Sequence, residues 1–220
     1  MRMASLVAAT VALAAATTAR ANIYMQYTGV NGTVGVPGYS GDVELDSFSV
    51  SVDRNVSAPT GGSSDRESSA PAISDILVTG GTTSASADLL YESLAGEGTS
   101  AKIFFTKPGG GKDQPAVTYA EWDLTNAIID KYSTAQNLDG ASEDTLSINF
   151  TKFVYTWYNV DDFGNGSGSE TVTYDLATTH ASRTTTGDVS GFQFVTAVPE
   201  PATAGLLLLA GPLLLRRRRR

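Results

Sequence analysis

The sequence predicts a mainly β protein, a β-barrel or corner-turning two-sheet sandwich with one short helix at about residues 84–96. Three observations carry this. In DVELDSFSVSV, Val43 and Leu45 share one parity, whereas Phe48, Val50 and Val52 fall on the other. In TLSINFTKFVYTWY, Leu146, Ile148 and Phe150 alternate before Phe153, Tyr155 and Trp157 take over on the opposite parity. Side chains on a strand alternate between faces, so a one-residue switch marks a bulge or a strand bending from one sheet into another. Third, SASADLLYESLAGEG alone has helical spacing: Ser84 or Ser86 as N-cap, Leu90 and Leu94 four apart, and Gly96 as a stop.

The remaining elements follow in order. Residues 1–21 read as a secretory signal peptide. Arg2 supplies the positive start, Ala4 to Thr17 is small and apolar, and Ala19-Arg20-Ala21 fits the cleavage pattern, leaving Asn22 as the first mature residue. Ile23, Met25 and Tyr27 alternate in a first strand. Two insert-like loops follow, Asn31 to Gly41 and Asn55 to Pro71; the second is long enough to expect an interaction role. After the strand ISDILVT and the helix come AKIFFT, a KPGGGKD hairpin, and AVTYAEWDLTNAIIDKYS as one long strand or two abutting ones. NVDDFGNGSGSE forms a second glycine-rich hairpin into TVTYDL. The body thus spans 22–176, a Thr/Ser-rich stalk or linker occupies 177–197, with FQFVT (192–196) as a candidate last edge strand, and 198–220 is a separate tail.

Charge and composition exclude several classes of function. Residues 22–198 keep 8 of the 15 basic and 22 of the 23 acidic side chains, a formal charge of about −14 against −8 for the whole chain. Such a body repels phosphate backbones, so no nucleic-acid partner is expected. Cysteine is absent, which removes disulfides and thiolate metal sites. His180 is the single histidine and falls in the linker, so a His-based triad or a histidine metal site has no material. No catalytic residue, metal or cofactor is expected, and the chain is not read as an enzyme.

Carboxylates are the remaining chemistry. Asp161-Asp162 and Glu143-Asp144 are placed in hairpin loops and Glu121-x-Asp123 on a strand face; solvated charge protecting strand edges is the favoured reading of all three. DDFGNG fails as an EF-hand loop, because Phe163 and Val172 stand where oxygen ligands are needed, although a looser calcium site of Asp161, Asp162 and Asn165 stays open. KPGGGK lacks phosphate-loop spacing.

The ordered pieces IYMQYTGVNG, VELDSFSVSV, SADLLYESLAGEG, KIFFTKPGGGK, WDLTNAIIDKYS and LSINFTKFVYTWY resemble the Hcp family, the tube component of type VI secretion systems, across roughly residues 22–176. The resemblance implies a compact barrel of two sheets with one helix at its side. It implies self-assembly into hexameric rings that stack into a hollow tube, and effector proteins held in the lumen. By position, Asn31 to Gly41 corresponds to an extended loop that contacts the neighbouring ring.

The tail resembles a PEP-CTERM sorting signal: Val198, Pro199, Glu200 and Pro201, an apolar stretch, then Arg216, Arg217, Arg218, Arg219 and Arg220. The resemblance implies processing by an exosortase-type membrane protease. Residues 202–215 would span about 21 Å as a helix against a hydrocarbon core of about 30 Å, and Pro212 interrupts them. The arginines suit cytoplasmic retention, so a transient transmembrane anchor is expected, with the body then at the cell surface, in the matrix or secreted. The leading expectation is an exported, non-catalytic, ring- or tube-forming Hcp-like protein. The alternatives are a polysaccharide-binding surface domain using Tyr155, Trp157 and Tyr158, with exopolysaccharide as partner, and a carboxylate-dependent hydrolase.

Overall fold

Long strands that bend build most of the molecule, with a run of two- and three-residue strands near its start. The computed structural model describes residues 21–57, 67–110, 115–136, 138 and 140–189. Its strands are β1 (Asn22–Tyr27), β2 (Val43–Leu45), β3 (Ser47–Ser49), β4 (Val52–Asp53), β5 (Val56–Ser57), β6 (Glu67–Ser68), β7 (Ala72–Ile73) and β8 (Ile76–Gly81). Helix α1 (Ala85–Ala95) precedes β9 (Thr99–Lys107), β10 (Val117–Gln136), β11 (Ser142–Asn149), β12 (Lys152–Val160), β13 (Gly166–Asp175) and β14 (His180–Gly187).

Both parity switches are strand bends. Asp46 separates β2, which pairs with β1, from β3, which pairs with β8. The 20-residue β10 pairs through its first half with β9 and β12 and through its second half with β11. One sheet therefore runs β2-β1-β9-β10-β12-β13-β14 and the other β10-β11-β8-β3, and the two are joined at β10 and again at Asp46. Opposite β10, the chain from β11 to β12 breaks at Phe150 and Thr151, where the Thr151 amide bonds the Thr125 carbonyl at 3.1 Å and holds the hairpin together. Bulges accompany the bend in β10, with Asn126 at φ 54° between Leu124 and Ala127. The core lies between the sheets, around Met25, Ile76, Ile103, Leu124, Ile129 and Ile148, all at most 1% exposed.

The helix falls where expected but turns a different face inward. Ala85, Ser86 and Leu89 are buried, whereas Leu90 and Leu94 are 42% and 78% exposed. Small residues let the helix start approach the sheet closely, which rotates the larger leucines outward. Its N-terminus is capped differently too. Ser84 makes no side-chain cap bond; instead Thr83 Oγ1 accepts from the Ala85 amide at 3.2 Å, and Ser86 Oγ accepts from the Thr83 amide at 2.9 Å. The N-cap position is Ser84, one of the two the sequence offers, while the capping bonds come from Thr83 and Ser86 on either side of it.

Two other stretches differ from expectation. The segment read as a linker from 177 carries β14, paired with β13 over eight residues from His180 to Gly187. Every residue of β14 is exposed, so it lacks the alternation that betrays a strand. All described residues lie within one compact unit that ends at Val189, and FQFVT lies outside them. The 55–71 insert is not a plain loop: β4 pairs with β7 and β5 with β6, prolonging the β3–β8 pairing into a two-stranded arm. Val52 and Val56 on this arm are 55% and 50% exposed.

Candidate functional site

Period-two alternation gives the larger sheet two faces with different chemistry. One carries Trp122 and Tyr155, whose rings lie 5.2 Å apart, with Phe153 4.9 Å from Trp122 and Phe48 reaching across to Phe105 and Trp122. The other carries Tyr24, Phe104, Glu121 and Tyr158. Tyr155 and Trp157 therefore share the first face, while Tyr158 points to the second. The three-aromatic stacking platform of the alternative, polysaccharide-binding reading is not formed, because neighbouring residues on a strand oppose each other.

The loop from 31 to 42 folds back over the second face. Tyr39 stacks on Tyr24 at 4.8 Å and meets Phe104 edge-on at 5.6 Å, and its hydroxyl shares a short hydrogen bond with Thr118. The loop is closed by Gly32 N–H to Gly41 O at 2.7 Å and Gly41 N–H to Val34 O at 2.9 Å. Gly32 is required there: a Cβ would sit 1.8 Å from the Asp42 carbonyl oxygen. Asp42 is buried and its Oδ2 has no hydrogen-bond partner; burial pushes its carboxyl pKa up. This loop packs on its own sheet, and the β4–β7 arm is the exposed two-stranded segment.

Beside the loop lies an open groove of about 400 Å³, lined by Val117, Thr118, Glu121, Tyr158, Val160 and Phe163 among others. Burial first, and then the charge and hydrogen bond of Glu121, push the Tyr158 hydroxyl up to about 12. The β12–β13 turn forms one wall and is fixed from within. Asp161 Oδ1 accepts from the amides of Phe163 and Asn165 at 2.8 and 2.9 Å, and Oδ2 accepts from Asn165 Nδ2 at 2.9 Å. These bonds, the Asn165 side chain foremost, hold the Asp161 carboxyl below the usual range. Lys107 Nζ bridges Asp162 at 2.9 Å and the Val160 carbonyl at 3.0 Å, and the Gly110 amide reaches the Asp162 carbonyl at 2.6 Å. Both Asp161 oxygens are thus engaged within the turn, and Asp162 is tied to it through Oδ1 and its backbone carbonyl.

The other carboxylates separate as well. Glu143 and Asp144 lie on β11 rather than in a loop, and only Glu143 is exposed. Asp144 is 4% exposed and gathers hydroxyls from three segments: Thr82 Oγ1 and Tyr132 at 3.0 Å, and Ser86 through a short bond. Burial raises its pKa, but hydrogen bonds from Ser86, Thr134, Thr82 and Tyr132 outweigh this and hold it below the usual carboxylate value. The cavity beside it is about 10 Å³, room for about one water, so this is a structural hub with no access for substrate. Asp123 bridges Lys102 at 2.6 Å. His180 is exposed at the start of β14 opposite Asp175, in no catalytic grouping.

Among the described residues no three His, Cys, Asp or Glu side chains cluster as a metal site, and no helix is long and apolar enough to cross a membrane. β1 begins at Asn22, the residue expected to follow signal cleavage. Ala19, the motif Val198 to Pro201 and the cluster Arg216 to Arg220 lie outside the described residues. The groove itself escapes a reading of the sequence, since β10 and the β12–β13 turn assemble it. Its one local signal is Phe163, an apolar ring inside the polar turn DDFGNG.

Comparison with known proteins gives no match among curated proteins. Solved structures share the fold, and three of them show how closely. A type six secretion system protein superposes with TM-score 0.66 at 14% identity, covering 74% of this chain and 100% of that one. Hcp1 from Salmonella typhimurium gives 0.56 at 16% identity, with 74% and 99% covered. Hcp1 from E. coli EAEC 042 gives 0.54 at 16% identity, with 71% and 97% covered. The family model described as "Type VI secretion system effector, Hcp" matches residues 24–157, from β1 through the bent hairpin of β10 to β12, and the chain belongs to this Hcp family.

Proposed function

We propose that this protein is an exported structural member of the Hcp family that assembles into hexameric rings or tubes and carries no chemistry of its own. The observation that supports this most is the continuous family match over 24–157, on a body in which Asp123, Asp144 and Asp161 are held in an ion pair or in internal hydrogen bonds. Ring closure needs one heterologous interface and stacking a second. The exposed β4–β7 arm suits the second, and replaces the packed loop at 31–41 as the segment that reaches a neighbouring ring. Effector proteins are the cargo that such a lumen would hold.

The targeting segments set where assembly happens. Cleavage after Ala21 frees the body, the arginine cluster holds the tail at the membrane, and an exosortase-type protease cuts near Val198 to Pro201. The test is intact-mass measurement of the protein recovered outside cells that possess such a protease. The reading requires an N-terminus at Asn22 and a C-terminus near Val198, with Glu200→Ala accumulating uncut at the membrane. A secreted chain retaining Arg216 to Arg220 contradicts it.

A further inference from the structure

We propose that the groove between the start of β10 and the β12–β13 turn binds a basic side chain, lysine or arginine, of a second polypeptide. The Glu121 carboxylate holds its cation and Phe163 receives its stem. Glu121 lines the groove, and among the described residues no Lys or Arg bridges it. Among the described residues, Lys107 beside the same turn is committed to Asp162 and the Val160 carbonyl.

Phe163 is 66% exposed, yet the turn that carries it is fixed by three hydrogen bonds to Asp161. An apolar ring held in solvent by an ordered turn is a preformed contact, and an aromatic face attracts a cation as well as its methylenes. Val117 and Val160 supply further apolar wall for such a stem. Tyr158 remains protonated at any ordinary pH and donates to Glu121, which leaves the other carboxylate lone pairs for the ligand. A body of about −14 draws cations toward the site and repels acidic partners. A neutral saccharide fits less well, since Thr118 is already engaged by Tyr39 and Tyr158 by Glu121, which leaves few groups in the groove for sugar hydroxyls. The proposal does not depend on ring assembly or on processing of the tail.

The test titrates the full chain with acetyl-tetralysine amide, and with cellotetraose as the neutral probe, by isothermal calorimetry at low and high salt. Saturable, salt-sensitive peptide binding is expected, at least ten-fold weaker in Glu121→Gln and several-fold weaker in Phe163→Ala. Glu143→Gln, an exposed carboxylate on β11, should bind as the parent does. Equal loss in Glu143→Gln and Glu121→Gln would reveal diffuse charge attraction and overturn the proposal. So would full binding by Glu121→Gln, cellotetraose binding in place of the peptide, or no saturable binding. Should Glu121→Gln fail to fold, Phe163→Ala at its exposed position decides the same question.

Discussion

Replacing Asp144 with alanine should cost about 3–4 kcal/mol of stability, although the residue lies in no site. Its carboxylate receives Thr82 and Tyr132 at 3.0 Å and a short bond from Ser86, tying the entrance of α1 to β10 and β11. A hydrogen bond to a charged acceptor contributes about 1.5–3 kcal/mol net, and its removal strands buried hydroxyls. The contributions do not simply add, because Thr82 also shares a bond with Ser142 at 2.7 Å and Ser86 accepts from the Thr83 amide. In urea, with a slope of about 2 kcal/mol/M, the midpoint should fall by about 1.5–2 M. The acid limb supplies a second readout. A carboxyl whose folded pKa is depressed contributes stability above its unfolded value of about 4, and that contribution is lost as pH falls through the folded value. The parent should therefore lose stability below about pH 4 more steeply than Asp144→Ala. A loss under about 1 kcal/mol together with an unchanged acid limb would refute the hub reasoning.

Three further substitutions test separate parts of the fold. Gly32→Ala places a methyl 1.8 Å from the Asp42 carbonyl, so it should cost at least about 2 kcal/mol and raise amide exchange across 31–42. Tyr39→Ala removes a ring packed between Tyr24 and Phe104 and should cost about 3 kcal/mol in urea unfolding, with the same loop exchanging first. Leu94→Ser, at a position 78% exposed, should change stability by no more than about 0.5 kcal/mol, whereas Leu89→Ser at 2% exposure should lose several times more.

The bends at Asp46 and at Phe150–Thr151 were legible because burial enforces parity, and a strand changing sheets must shift it. The same rule explains what stayed hidden. β14 has no buried face, so HASRTTTG carries no alternation to read. In α1 the spacing of Leu90 and Leu94 marks the helix but not its inner face, which Ala85, Ser86 and Leu89 occupy. Asp144 looks like any solvated carboxylate until Thr82, Ser86 and Tyr132 converge on it from 12 to 62 residues away. Glu121 and Asp123 share a strand face as expected, yet one meets Tyr158 in a groove and the other Lys102 in an ion pair. Partners distant in sequence decide those roles, and local pattern does not contain them.

Self-assembly is the central claim, and the solution mass of the exported, processed protein tests it most directly. Sedimentation equilibrium at tens of micromolar should give a species of about six times the monomer mass, as expected of closed cyclic assembly. Deletion of the β4–β7 arm should leave that ring intact while abolishing stacks seen by negative-stain microscopy. A monomer across the whole concentration range would contradict the account.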